Sequence, residues 1–289
     1  LLKNKKITII TDFNLNNYLK LIMNMKRISL TLCLAFLTVL FCQAQVTPLK
    51  FNKTGEFKIV QFTDIHFQYH NPASAIALKR INEVLDAERP DLVVFTGDVV
   101  YAAPADTAMR TVLACASSRK IPFVVTFGNH DNEQGKTRAE LYDIIRAMPY
   151  NIQPDRGAVE SPDYVLTVKS SDGKKDASVL YCLDSHSYSK LPDVKGYDWL
   201  TFDQVNWYRQ QSAAFTAKNN GKPLPALAFF HIPLPEYNEA ASDETAILYG
   251  TRMAKPCAPA INTGMFAAMK EAGDVMGTFV GHDHDNDYS

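Results

Sequence analysis

The chain has 289 residues, with 30 Lys and Arg against 31 Asp and Glu and a formal net charge of −1 at neutral pH. With 46% hydrophobic and 21% charged residues it has the composition of an ordinary globular protein, long enough to bury a full core as one large α/β domain or two small ones. It carries no basic stripe, which argues against a broad nucleic-acid surface.

The first residue is Leu1, and residues 1–24 are rich in Lys and Asn without a sustained apolar period. From Met25 the chain reads MKRISLTLCLAFLTVLFCQAQ: the basic pair Lys26 and Arg27, an apolar run Ile28–Phe41, then small or polar residues to Ala44. That is the form of a secretory signal peptide. The expectation is that Met25 is the start and that residues 1–24 are upstream translation or disordered. Residues 25–44 then direct export to a bacterial periplasm or the exterior, and 45–289 form one domain. The apolar run is about 14 residues, short of the roughly 20 a spanning helix needs, so no stable membrane span is expected after cleavage. Without residues 1–44 the chain keeps 24 basic and 30 acidic side chains, a charge near −6 that speaks against nucleic acid as partner. Cys115, Cys182 and Cys257 remain, an odd number without CxxC spacing, so one disulfide at most and no zinc or redox role.

Beyond the leader, strand and helix signals alternate. FKIVQFT (57–63) reads as a strand, rich in β-branched and aromatic residues. A helix follows with Asn71 as N-cap, Pro72 at its first position, Ala77, Ile81, Val84 and Leu85 on one face, and Pro90 as its stop. DLVVFTG (91–97) and IPFVVTFG (121–128) are continuous apolar runs of buried-strand length, separated by a helix over 105–118 and followed by one over 137–147. YVLTVKS and ASVLYCLD flank a turn at Asp172–Gly173 and read as a hairpin. A helix over 201–218, a strand over 225–230, a helix over 262–271 and a strand over 275–280 complete an α/β pattern.

Polar residues able to bind metal fall where those strands end: Asp64 and His66, then Asp98, then Asn129, His130 and Asp131, then His231, then His282 and His284. In open α/β sheets, ligands bind beyond the carboxyl ends of strands. Five of the seven histidines occupy these positions, and five strands converging by chance on metal-type residues is improbable. Gly97, Gly128 and Gly281 each precede a candidate ligand, where a residue without Cβ allows a sharp bend and close approach. Two divalent ions held about 3.5–4 Å apart need a bridging anion. Asp98 is the best-placed carboxylate, and neutral imidazoles fill other positions without excess negative charge.

The set DIH (64–66), GD (97–98), GNHD (128–131), a lone His231 and GHDH (281–284) resembles the calcineurin-like metallophosphoesterase superfamily, within it the purple-acid-phosphatase-like branch that includes Dcr2-type phosphatases. The resemblance covers residues 56–289 with every element in order. It implies a four-layer α/β/β/α metallophosphatase sandwich whose C-terminal strands are truncated here, since strands normally follow the last motif. It implies two metal ions, divalent or trivalent, of Fe, Mn or Zn. Asp64, His66 and His284 would hold the first, Asn129, His231 and His282 the second, and Asp98 would bridge. His130 would contact substrate and help the leaving group depart, oriented by Asp131. In purple acid phosphatases the first motif is D-x-G and the Tyr of G-D-x-x-Y binds ferric iron. Here His66 takes the Gly position and is expected as ligand, leaving Tyr101 as pocket wall. The implied activity is hydrolysis of a small phosphate monoester by a hydroxide bridging the ions. A phosphodiesterase (cyclic-nucleotide or nuclease-like) and a non-catalytic scaffold on the same fold stay open, as does the oligomeric state.

Weaker candidates lie nearby. His186 and Tyr188 are read as lining the substrate pocket together with Asn129, His130 and Tyr101, and His70 as rimming it. Trp207 and Tyr208, inside a helix, are read as core.

Overall fold

The computed structural model describes residues 48–243, 245 and 247–288. The expectations for residues 1–24 and 25–44 fall outside them. In chain order the elements are β1 (Ile59–Phe62), α1 (Pro72–Glu88), β2 (Leu92–Thr96), α2 (Ala105–Ser117), β3 (Phe123–Thr126), α3 (Arg138–Arg146), β4 (Tyr164–Lys169), β5 (Asp176–Cys182), α4 (Phe202–Lys218), β6 (Ala226–Phe229), α5 (Tyr237–Ala240), β7 (Gly250–Arg252), α6 (Met265–Ala272), β8 (Val275–Phe279) and β9 (Asn286–Tyr288). A 3-10 turn, Asp131–Glu133, sits between β3 and α3.

Helix starts arise from local chemistry. Asn71 caps α1 through a hydrogen bond accepted from Ala73 N, with proline inside the first turn. Thr137 with Glu140, and Thr201 with Gln204, form capping boxes that open α3 and α4.

β1, β2 and β3 form a parallel sheet in that order. β4, β5, β6 and β8 form a second, in which β4 is antiparallel to β5 and the others run parallel. Alternation along the strands divides the core. Val93 and Phe95 join Leu85, Met109, Leu113 and Tyr142 on the helical side of the first sheet. Leu92 and Val94, on its other face, pack with Leu180, Cys182 and Phe229 of the second sheet. Val179, Tyr181 and Ala228 turn the opposite way, toward Tyr208, Met265 and Met269. Each large apolar side chain so buried contributes roughly 1.5–3 kcal/mol. Tyr208 is fully buried and Trp207 packs beside it, as core.

The strands that carry site residues thus end on one side, and the two sheets are stitched there. Gln61 Nε2 donates to Thr96 Oγ1 at 2.7 Å and to Val280 O at 2.8 Å. His231 Nδ1 meets Thr96 O at 2.7 Å across the same seam.

Short elements depart from the sequence pattern. β7 and β9 pair antiparallel, Gly250 opposite Tyr288, so the last described residues form a strand. Three residues carry no periodicity. The ribbon is set by long-range acceptors: Asn286 Oδ1 takes Met253 N and Ala254 N at 3.0 Å, and Asp283 Oδ1 takes Cys257 N at 3.0 Å.

Behind the site lies a buried polar network. Arg138 donates to Asp184 Oδ1, Gly128 O and His186 O, tying the turn after β3 to the loop after β5. Asp163 Oδ1 accepts from Asp184 N and Gln204 Nε2 on the far side of that network. Burial pushes the Asp163 carboxyl up to about 6, despite those two hydrogen bonds. A folded-state value above the unfolded one favours the protonated form. Its contribution is therefore full below pH ~4 and is lost as pH rises through 6. Asp163→Asn is expected to gain stability relative to the parent between pH 4 and 8, by up to roughly 3 kcal/mol. Urea denaturation at both pH values tests this, and a constant difference would place the burden elsewhere.

Candidate metal centre

The turns after β1, β2 and β8 are built in an unusual backbone region. Asp64 (φ 52°), His66 (φ 46°), Asp98 (φ 50°) and His282 (φ 79°) all have left-handed conformations. Each costs of order 1 kcal/mol and persists only where surrounding structure enforces it. Asp and His are among the few non-glycine types enriched in that region, so the residues that suit the chemistry also suit the turns.

Asp131 enforces much of this. Its carboxylate is fully buried and accepts from Asp98 N, Val99 N, Val100 N and Gly128 N at 2.8–3.2 Å. Burial and the neighbouring Asp98 charge push its carboxyl upward, while those backbone donors push back. The expectation that Asp131 orients His130 is not met, because both of its oxygens are taken by backbone. His130 Nδ1 instead pairs with Glu133 Oε2 at 2.7 Å.

The glycines act mainly through close approach. A Cβ on Gly97, itself at φ +93°, would fall 2.5 Å from Gly128 N and 2.6 Å from His231 Nδ1. Gly128 is not left-handed; its missing Cβ makes room for the Asp98 carboxylate.

The side chains converge in two groups. Asp64, His66, Asp98 and His284 bring donor atoms within 4.8 Å of one another, as do Asp98, His231 and His282. Asp98 belongs to both. His231 Nε2 lies 3.1 Å and His66 Nε2 3.5 Å from Asp98 Oδ2, and His284 Nε2 lies 3.3 Å from Asp64 Oδ1.

Each donor is oriented by what its other atom does. Asp98 Oδ1 accepts from His130 N at 2.8 Å, leaving Oδ2 free. Asp64 Oδ2 accepts from Thr63 Oγ1 and His282 N, leaving Oδ1 free. Thr96 O can only accept, so His231 donates from Nδ1, and in its neutral form its lone pair is on Nε2. The result is a set of buried atoms without hydrogen-bond partners, among them Asp64 Oδ1, His66 Nε2, Asp98 Oδ2, Asn129 Oδ1, His231 Nε2 and His282 Nε2. Buried polar atoms are otherwise nearly always satisfied. Convergent carboxylate, imidazole and amide donors fit divalent cations.

The charges point the same way. Burial opposes ionisation of Asp98, but the imidazoles of His231 and His66, 3.1 and 3.5 Å from Oδ2, outweigh it and hold its carboxyl below the usual range. Burial likewise pulls His66 down, but Asp64 and Asp98 hold it at about 9. Burial and the charge of His231 bring His282 down to about 4, so it stays neutral. A cation entering the first group must displace the His66 proton.

The rim is aromatic. Tyr101 is 40% exposed, its ring 5.6 Å from that of His66 and 5.2 Å from that of His130. Tyr197 packs edge-on against His282 at 4.2 Å and stacks on Tyr188 at 5.7 Å. Of the two residues expected in the pocket, His186 hydrogen-bonds Gln204 Oε1 at 2.8 Å within the supporting network, whereas the Tyr188 hydroxyl accepts from Asn129 Nδ2 at 3.2 Å. His70 is exposed. Sequence reasoning missed Glu133, which was legible only as a carboxylate three residues beyond His130. It also missed Tyr197 and Arg138, which had no local signal.

A model of the calcineurin-like phosphoesterase family matches residues 57–286. "Probable inactive purple acid phosphatase 29" of Arabidopsis thaliana is 35% identical over 279 residues, covering 85% of this chain and 71% of that protein. "Phosphatase DCR2" of Saccharomyces cerevisiae is 31% identical over 264 residues, covering 81% of this chain and 45% of that protein. Among solved structures, a dimetal phosphatase from Danio rerio shares the fold at a TM-score of 0.55 and 13% identity, covering 79% of this chain and 82% of that one.

Gly128→Ala is expected to force the Asp98 carboxylate from its place and to destabilise the fold by about 1–3 kcal/mol, read as a lower urea midpoint. An unchanged midpoint would mean that the two turns can part without cost.

Proposed function

The chain belongs to the calcineurin-like phosphoesterase family, and from that premise we propose that it is a metal-dependent hydrolase of small phosphate monoesters. The observation that carries the reading is the convergence of buried, unpartnered donor atoms of Asp64, His66, His231 and His282 on the shared carboxylate of Asp98. Asp64, His66 and His284 would hold one cation, Asn129, His231 and His282 the other, and Asp98 both. Bound there, two cations would supply positive charge for the phosphoryl oxygens and acidify water.

The protein's own groups do the rest. Asp98 and Asp64 hold their free oxygens inward through backbone and hydroxyl donors, so the ligand frame is set before substrate arrives. His130, with Nδ1 engaged by Glu133, keeps Nε2 free to give a proton or hydrogen bond to a leaving oxygen. The rings of Tyr101 and Tyr188 lie 5.2 and 6.4 Å from that of His130 and would wall the place a leaving group occupies.

Elemental analysis with turnover of p-nitrophenyl phosphate and its bis ester tests this reading. Two metals per chain and faster monoester cleavage are expected. A metal-replete chain that cleaves neither ester, or prefers the diester, would overturn it. Asp98→Asn should remove metal and most activity together, so a variant with parental turnover would sink the bridging role. Because His66 takes the ligand place and Tyr101 stays a wall, the purified protein should lack a visible tyrosinate–iron band, and a purple preparation would reverse that choice.

A further inference from the structure

Glu133 lies in the 3-10 turn Asp131–Glu133, whose N–H bonds back to His130 O at 3.1 Å. That turn brings its two oxygens to different partners. Oε2 sits 2.7 Å from His130 Nδ1. Oε1 is 3.2 Å from the Tyr188 hydroxyl, and Asn129 Nδ2 is 3.2 Å from that same hydroxyl.

The direction of this chain of bonds is fixed by donor count. An ionised carboxylate only accepts, so Tyr188 spends its one proton on Glu133. Its oxygen is then an acceptor only, and Asn129 must present its NH2 group. The amide is turned, and Asn129 Oδ1 is left buried and without a hydrogen-bond partner, the oxygen that would serve the second cation. On the other branch the same carboxylate takes the Nδ1 proton of His130, which leaves Nε2 as the nitrogen open to substrate. Asp131 does not do this, since both of its oxygens are committed to backbone N–H groups.

We propose that Glu133 is a positioning residue with two outputs: it sets the ring of His130 directly, and through Tyr188 it sets the amide of Asn129. The His130 output rests on the hydrolase reading above. The Asn129 output rests only on metal binding by the second group. Glu133 itself touches no atom of either metal group.

The test uses the full chain with Glu133→Ala, Glu133→Gln and Tyr188→Phe. Zinc binding to chelator-stripped protein is measured by calorimetry. The zinc-loaded forms are assayed on aryl and alkyl phosphate monoesters of rising leaving-group basicity. Glu133→Ala and Tyr188→Phe should each weaken zinc affinity roughly 10- to 100-fold, the effect of losing an outer hydrogen-bond partner of a ligand. Glu133→Gln should restore affinity, because the introduced amide oxygen still accepts the Tyr188 proton. It should not restore chemistry: kcat should fall with KM unchanged, little for p-nitrophenyl phosphate and by roughly 10- to 100-fold for alkyl esters that need a proton. Equal zinc affinity in all three variants would overturn the Asn129 output. A loss uniform across leaving groups would overturn the His130 output and leave only a packing role. A parental protein that binds zinc but cleaves no ester would overturn the hydrolase reading and the His130 output with it, while the calorimetry still decides the other.

Discussion

One carboxylate without solvent exposure, that of Asp131, fastens the turn after β2 to the turn after β3 through four backbone N–H groups. Everything near the centre depends on that clamp. It holds Asp98 in a left-handed backbone, which aims one carboxylate oxygen at His130 N and the other at the shared point between the metal groups. It also brings Gly128 so close that no side chain fits between the turns. A carboxylate bonded only to backbone adds rigidity without competing for the cations.

The same economy recurs at each donor. Asp64, Asp98 and His231 each commit one polar atom to the fold and leave one uncommitted. Burial makes that costly in the metal-free chain, since an unsatisfied buried group forfeits about 1–3 kcal/mol. His66, held protonated between Asp64 and Asp98, relieves part of the negative charge there. The site is thereby predisposed toward positive charge before any cation is present.

The strand-end placement of Asp64, Asp98, Asn129, His231 and His282 was legible because buried parallel strands are continuous apolar runs, and the residues just past their carboxyl ends occupy the place where such sheets bind ligands. The helices were legible from caps and periodicity. Asp131's true task was hidden because GNHD looks like a run of functional groups, while burial turns its last member to backbone. Glu133 and Tyr188 are 55 residues apart in the chain, and only the folded loops bring them together. Arg138 was hidden for the opposite reason: a charged residue on a capped helix reads as surface, yet this one is buried by its partners Asp184 and Gly128. The β7–β9 ribbon carries too few residues for any period to show.

The hydrogen bond from His282 N to Asp64 spans 218 residues of chain, and that from His231 to Thr96 spans 135. During synthesis the first sheet can therefore collapse on its helices long before the residues that complete the centre leave the ribosome. Contacts of such separation form late because loop closure must precede them. A nascent chain would expose Asp64, His66 and Asp98 as a half-built pocket before His231, His282 and His284 are there to wall it.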